Sequence, residues 1–479
     1  MANSSQNTTL SSAAIASDAV AALYPAEVIK PSSLAFAEAQ GSFWDARQQQ
    51  RAPLCFFQPA DVAQVKAALG EVIRAKCPFA IKGGGHSAGK GSSCHGGFQF
   101  DLAKLNHIEI SDDKQTLRVG PGVQWGPLFQ TLEKHGVIAV GGRDFGVGVP
   151  GFIFGGGISY LSAQHGWGID NLLSVDLVLA NGDIVTADRS SHPDLFRALR
   201  GGGAHNFGIA TSLTLRLYPY TGMWGGVNII AKGHFDAVFD EYDSYSRELV
   251  RDGKAHLILD FTWQDDQPVV AQFMGYPKPI DNPPIYDGLR RIPSLFNTLR
   301  LADYSSLASE MAEMTNTRGK RNAYWTVAME YDINLLKSIY ELWAQATKPH
   351  AARFQLSLDV NHITPAMRNK AALEEIGNLY RLEGRDEPLT NIMMTIVWEN
   401  EADDTEVAAI LRNLGGEVET LTERHGKSIP FKYMNYANEE QDVIHGFGQE
   451  SVSFLKQVAS RYDPEGVFQT LQSRGFKLG

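Results

Sequence analysis

Cysteine is scarce. The 479-residue chain holds three, Cys55, Cys77 and Cys94, an odd number with neither a metal-ligand spacing nor the dense pairing of a disulfide-stapled domain. They are expected to be buried thiols. Long apolar runs are also missing. No stretch approaches the roughly 18 consecutive apolar residues of a membrane span, and the alanine-rich residues 11–23 lack the basic flank and long apolar core of a secretion signal. The expectation is a cytoplasmic protein with no membrane partner, whose sequons starting at Asn3 and Asn7 carry no glycan. Positive charge is in deficit: 43 Lys and Arg face 54 Asp and Glu, a net −11. That disfavours a nucleic-acid partner, which draws on clustered cations, and leaves a neutral or cationic small molecule. The dinucleotide fingerprint is absent as well. Residues 152–157 contain a glycine triplet, but none of the glycine clusters is the fingerprint on a strand–helix hinge, so a Rossmann NAD site is disfavoured.

What is present is glycine, 46 residues of it. Four clusters fall within one stretch: Gly83, Gly84 and Gly85; residues 141–157; Gly166 and Gly168; and residues 201–208. Glycine takes positive φ and lets backbone approach a ligand closely, so this grouping points to a cofactor held by main-chain amides, with a diphosphate as its natural occupant. Around the clusters, short strands (79–82, 98–101, 116–119, 137–140, 175–180, 183–186, 209–217) alternate with helices (62–76 behind an Asp61 cap, 125–134, 194–199), a mixed α/β text. Past Pro219 the glycines thin, and longer strands (256–263, 323–331, 354–361, 391–398) and helices (336–346, 405–424) appear. A chain this long exceeds one core. The pattern divides it into units at 30–220 and 221–429 and a C-terminal segment, 430–479, that returns to the first.

Five ordered stretches carry a resemblance. They are IKGGGHSAGKG (81–91), GGRDFGVGVPGFIFGGGISYLSAQHGWGIDN (141–171), VDLVLANGDIV (175–185), DLFRALRGGGAHNFGI (194–209), and KYMNYAN (432–438) with RYDPEGVF (461–468). Together they resemble the vanillyl-alcohol-oxidase superfamily, in its berberine-bridge-enzyme-like branch. The resemblance implies an α+β, two-domain PCMH-type FAD-binding fold. Its FAD domain would come from both chain ends, and a central substrate domain would supply an antiparallel sheet covered by helices. It also implies that His86 is joined covalently to the 8α-carbon of FAD. Carried over by position, Lys82, Gly83, Gly84, Gly85, Ser87, Gly142, Gly146, Val147, Gly148, Gly151, Gly155, Gly156, Gly157, Asn171 and Ile209 lie along the cofactor, and Tyr433 and Asn435 approach its ring. Two departures stand out. Asp144 occupies the place of the cysteine that makes a second link in some members, which implies a single link; Pro150 replaces a glycine, removing an amide donor.

The chemistry implied is hydride transfer from a small organic substrate (an alcohol, a phenolic or polyketide-like scaffold, or an amine) to flavin N5, with O2 as acceptor and peroxide as product, in secondary metabolism. Tyr436, paired with Tyr433, is the expected base, a role that requires a neighbouring cation to lower a phenol from near 10; His165, His205 and Glu439 are possible helpers. Phe261, Trp263, Tyr324, Trp325 and Trp398 would shape the pocket from the middle domain, most of them as core. A flavin dehydrogenase, a cyclase using the same pocket, an oligosaccharide oxidase and a non-catalytic flavin carrier remain alternatives.

Overall fold

The computed structural model describes residues 2–88, 91–315, 317–370, 376–472 and 474–479, with side chains from residue 11 onward. Gly89 and Lys90 of the 81–91 stretch, and the side chains of both sequons, lie outside these residues. The Asp61 cap forms as the sequence implies, accepting from Gln64 N at 2.9 Å. It starts helix Val62–Arg74, whose Val65, Ala68, Leu69 and Val72 are buried. Against that helix lies a four-stranded sheet in the order Val28–Ile29, Cys55–Phe57, Phe98–Asp101, Phe79–Lys82, the last three strands parallel. Helix Ala2–Leu23 adds Ala13, Ala16 and Val20 to the same core. All three cysteines are free and buried. Burial pushes the Cys55 thiol up to about 11 and those of Cys77 and Cys94 to about 12, so they stay protonated and inert.

An antiparallel five-stranded sheet completes the first unit, in the order Ile108–Ile110, Thr116–Val119, Ile209–Arg216, Leu172–Val178, Ile184–Asp188. The strand predicted at 137–140 is only Val137–Ile138, because Ala139 and Val140 run into the glycines of the next loop. Residues 223–429 build a nine-stranded antiparallel sheet, and strands Met223–Ala231 and Gln267–Tyr276, not singled out in the sequence, are part of it. One face is apolar. Leu257, Leu259 and Phe261, Leu356, Leu358 and Val360, and Ile392, Met394 and Ile396 pack with residues of helices Phe235–Asp252, Ile333–Thr347 and Asp404–Arg424. Period-2 alternation turns the intervening residues to the opposite face.

The C-terminal segment closes the fold. Gln441 clips strand Arg321–Glu330, accepting from Thr326 N at 3.0 Å and donating to Thr326 O at 2.8 Å. At the chain end, Lys477 Nζ donates to Phe468 O at 2.8 Å and Gln472 Oε1 at 2.6 Å. Burial pulls this amine down to about 7, with Asp463 opposing. An unfolded lysine keeps its proton to about 10.4, so between 7 and that value the unfolded chain binds the extra proton and stability rises with pH. Lys477→Met is expected to flatten that rise. Melting temperatures of both proteins between pH 7 and 10 check it, and parallel curves would refute it.

Candidate active site

Strand Phe79–Lys82 ends where the glycines begin. Lys82 itself is held in a buried ion pair, Nζ to Asp101 Oδ1 at 3.0 Å. The main-chain N–H groups of Gly84, Gly85, His86 and Ser87 meet no acceptor among the described residues, and Gly85 sits at φ +73°. Four consecutive amides without an acceptor around a left-handed residue are the main-chain feature from which anion-binding nests are built. The neighbouring glycines serve close packing: a Cβ on Gly84 would lie 2.4 Å from Gly148 Cα, and one on Gly155 would lie 1.9 Å from Asn435 Oδ1. Gly151, by contrast, faces open space.

His86 is clamped. Its ring stacks on Trp44 at 4.5 Å and 15°, and Trp44 N donates to Gly85 O at 2.9 Å. Its Nε2 lies 3.4 Å from Asp144 Oδ1. Trp44 also touches Tyr324, ring centroids 6.1 Å apart, which joins this loop to the polar face of the large sheet.

Two residues beyond Gly141, the buried Arg143 spans the cleft. Its Nη2 donates to the Tyr436 hydroxyl and its Nη1 lies 3.1 Å from His256 Nε2 on strand His256–Gln264. Burial, reinforced by Arg143, pulls His256 well below the ordinary histidine range, leaving a neutral ring that accepts from the guanidinium. Burial pushes the Tyr436 phenol up and Arg143 only partly offsets it, so Tyr436 keeps its proton. Tyr433 accepts from Ile158 N at 2.9 Å and Asn435 Nδ2 at 3.1 Å.

The sheet face opposite the helices is polar in its middle strands, where Asp260 pairs directly with Asp359 across strands His256–Gln264 and Gln355–Ile363. The neighbouring pairs Asn361 with Asn391 and Ser357 with Thr395 share that face. Asp260 Oδ1, both amide atoms of Asn361, Asn391 Nδ2 and Thr395 Oγ1 are buried with no hydrogen-bond partner, an arrangement that costs about 1–3 kcal/mol per group unless a ligand completes it. Burial raises Asp260 well above the carboxylate range, with Asp359 adding repulsion. Burial also raises Asp359, to about 7, against a pull from Ser357 and Arg143. Two interacting carboxyls titrate as a unit, and burial favours the protonated form of both. A surface hollow of about 930 Å³ beside Phe145, Thr298 and Arg300 contains none of these groups.

Thus, of the predicted residues, Gly84 packs on Gly148, Gly146 lies beside His86, and Gly155, Tyr433, Asn435 and Tyr436 meet at the C-terminal segment. Others among the predicted residues are spent internally. Asn171 donates to His165 O and Trp167 O and accepts from Tyr218, and the Ile209 side chain is core. His165 stacks on Tyr218, His205 is tied to Phe476 O at the chain end, and Glu439 is exposed. Of the middle-domain aromatics only Tyr324 lies on the polar face; Phe261, Trp325 and Trp398 are core and Trp263 packs beside them. Sequence reading missed Trp44, Arg143, His256, Asp260 and Asp359. The signal for the last was the alternation Ser357, Asp359, Asn361 against Leu356, Leu358, Val360.

Comparison with known proteins agrees with this architecture. A family profile described as "FAD binding domain" matches residues 53–188. The chain is 32% identical over 472 residues to the FAD-dependent monooxygenase FUP4 of Fusarium proliferatum, covering 94% of this chain and 89% of that protein. It is 34% identical to the FAD-dependent monooxygenase tpcD of Cochliobolus heterostrophus, covering 91% and 87%. Among solved structures, 6-hydroxy-D-nicotine oxidase from Arthrobacter nicotinovorans superposes with a TM-score of 0.78 at 22% identity, over 95% of this chain and 97% of that one. Berberine bridge enzyme from Eschscholzia californica gives 0.77 at 15% identity, over 97% and 99%. The chain belongs to the family of FAD-dependent enzymes that includes these two fungal proteins, and it shares the fold of 6-hydroxy-D-nicotine oxidase and berberine bridge enzyme. Among the described residues no helix is long and apolar enough to cross a membrane.

Proposed function

We propose that the protein is an oxidase that carries FAD on His86 and oxidises a small, polar organic substrate (an alcohol, a phenolic or polyketide-like molecule, or an amine), passing the electrons to O2. The observation that carries this reading is the cleft itself. A turn of free amides ending in a clamped histidine lies on one side, and a sheet face of unpartnered polar groups around two carboxyls on the other. Residues 84–87 would hold the diphosphate and His86 the ring; bound FAD would supply a two-electron acceptor for a substrate C–H bond.

The chain's own residues supply the proton chemistry. Of the groups facing the cleft, the Asp260–Asp359 pair has its titration moved towards neutrality, so above about 7 one carboxylate is free to take the substrate's O–H or N–H proton. That assigns the base to the pair in place of Tyr436. Arg143 holds Tyr436 as a fixed hydrogen-bond partner, and Asn361 and Asn391 offer the remaining donors and acceptors to a polar substrate.

The name monooxygenase borne by the relatives favours a second reading, in which an oxygen atom enters the product. The deciding experiment compares wild type with His86→Ala. Yellow colour in the acid-precipitated wild-type pellet, absent from the variant's, is expected, and wild type should release one peroxide per substrate oxidised. Equal release of flavin from both proteins would sink the covalent attachment. Label from ¹⁸O2 in the product would favour the monooxygenase.

A further inference from the structure

Asp144 is fixed on two sides. Gly146 N donates to its Oδ1 at 2.8 Å, and His86 Nε2 lies 3.4 Å from the same oxygen. Trp44 covers one face of the imidazole and is itself pinned to Gly85 O. Burial pushes the Asp144 carboxyl up, but the nearby His86, the Gly146 N–H and Arg318 together bring it below its ordinary value. Asp144 is therefore ionised at neutral pH. A carboxylate beside one imidazole nitrogen keeps the proton there and leaves the lone pair on the other. The same logic lets an aspartate orient a histidine and support the cation that develops on it.

We propose that Asp144 is the positioning residue for attachment of FAD to His86, holding the proton on Nε2 so that Nδ1 is the nucleophile towards the flavin 8α-carbon. The inference rests on the covalent reading above. In the step an Nδ1–C bond replaces an 8α C–H bond, and the imidazole, briefly cationic and facing Asp144, gives up its Nε2 proton. The two protons and two electrons released reduce the flavin ring, and O2 then reoxidises it, yielding one peroxide per attachment.

The test expresses the full chain as wild type, Asp144→Asn, Asp144→Glu and His86→Ala. Total flavin after desalting is measured beside acid-stable flavin and the intact-mass increase, over a time course of added FAD. Asp144→Asn is expected to keep total flavin while forming the covalent adduct at least about tenfold more slowly, a typical loss for a group that orients a histidine. Asp144→Glu should recover most of the rate. Covalent incorporation by Asp144→Asn at the wild-type rate would overturn the proposal and leave the His86 link standing. Loss of total flavin from both Asp144 variants would also overturn it, by assigning Asp144 to FAD binding. Wild type with no acid-stable flavin would remove the covalent reading and this inference together.

Discussion

Asp359→Asn is expected to slow substrate-driven flavin reduction by about 10²–10⁴, the usual contribution of a positioned base, while making the protein more stable at pH 8. Both effects come from one carboxyl. Asp359 stands opposite Asp260 on a half-buried wall, and burial raises it to about 7; in the unfolded chain it would ionise near 3.9. Across that window the folded protein binds more protons than the unfolded one. Stability therefore falls as pH rises from about 4 to 7, and the loss is complete above 7. The amide cannot ionise, so the variant escapes the loss. Thermal melts at pH 5 and pH 8 should separate the two proteins much further at the higher pH, and anaerobic stopped-flow traces should show a rate that climbs through about 7 in wild type. A variant equally active and equally stable at both values would refute the assignment of the base.

How much of this was visible beforehand depended on how far apart the partners lie in the chain. The run of amides at residues 84–87 is contiguous, so glycine spacing marked a main-chain site, and the family resemblance singled out His86 within it. The Asp61 cap, helix Val62–Arg74 and strands Phe79–Lys82 and Phe98–Asp101 were legible for the same reason: period and punctuation are local. The opposite wall was not. Arg143 sits in a glycine loop with no period to mark it, and it meets groups 113 and 293 positions away. The pairing of Asp260 with Asp359 depends on the register between strands His256–Gln264 and Gln355–Ile363, which are not consecutive. Tyr436 was placed in the cleft from its neighbours, and the cation that a phenolate would need is there in Arg143. Burial nevertheless outweighs that cation, a balance that no sequence pattern encodes.

Arg143 is the residue through which the two halves of the cleft communicate, and Arg143→Met is expected to move the pH limb of flavin reduction above 7 as well as lowering the rate. Its guanidinium is the cation that restrains Asp359, and without it the carboxyl pair holds its protons more tightly. The same substitution strands Tyr436 and His256, each of which had a charged partner in a buried setting, a loss of about 1.5–3 kcal/mol per hydrogen bond. Lower stability by itself would not identify the role, because any break in a buried network has that result. Arg143→Lys separates the two contributions. Lysine keeps the positive charge but presents one compact ammonium, which cannot reach both Tyr436 and His256 as the planar fork does. It is expected to lose rate while leaving the pH limb near its wild-type position. A limb that shifts alike in both variants would mean that the geometry of the fork, and not its charge, sets the titration of the pair. An unmoved limb in Arg143→Met would detach Arg143 from the base altogether.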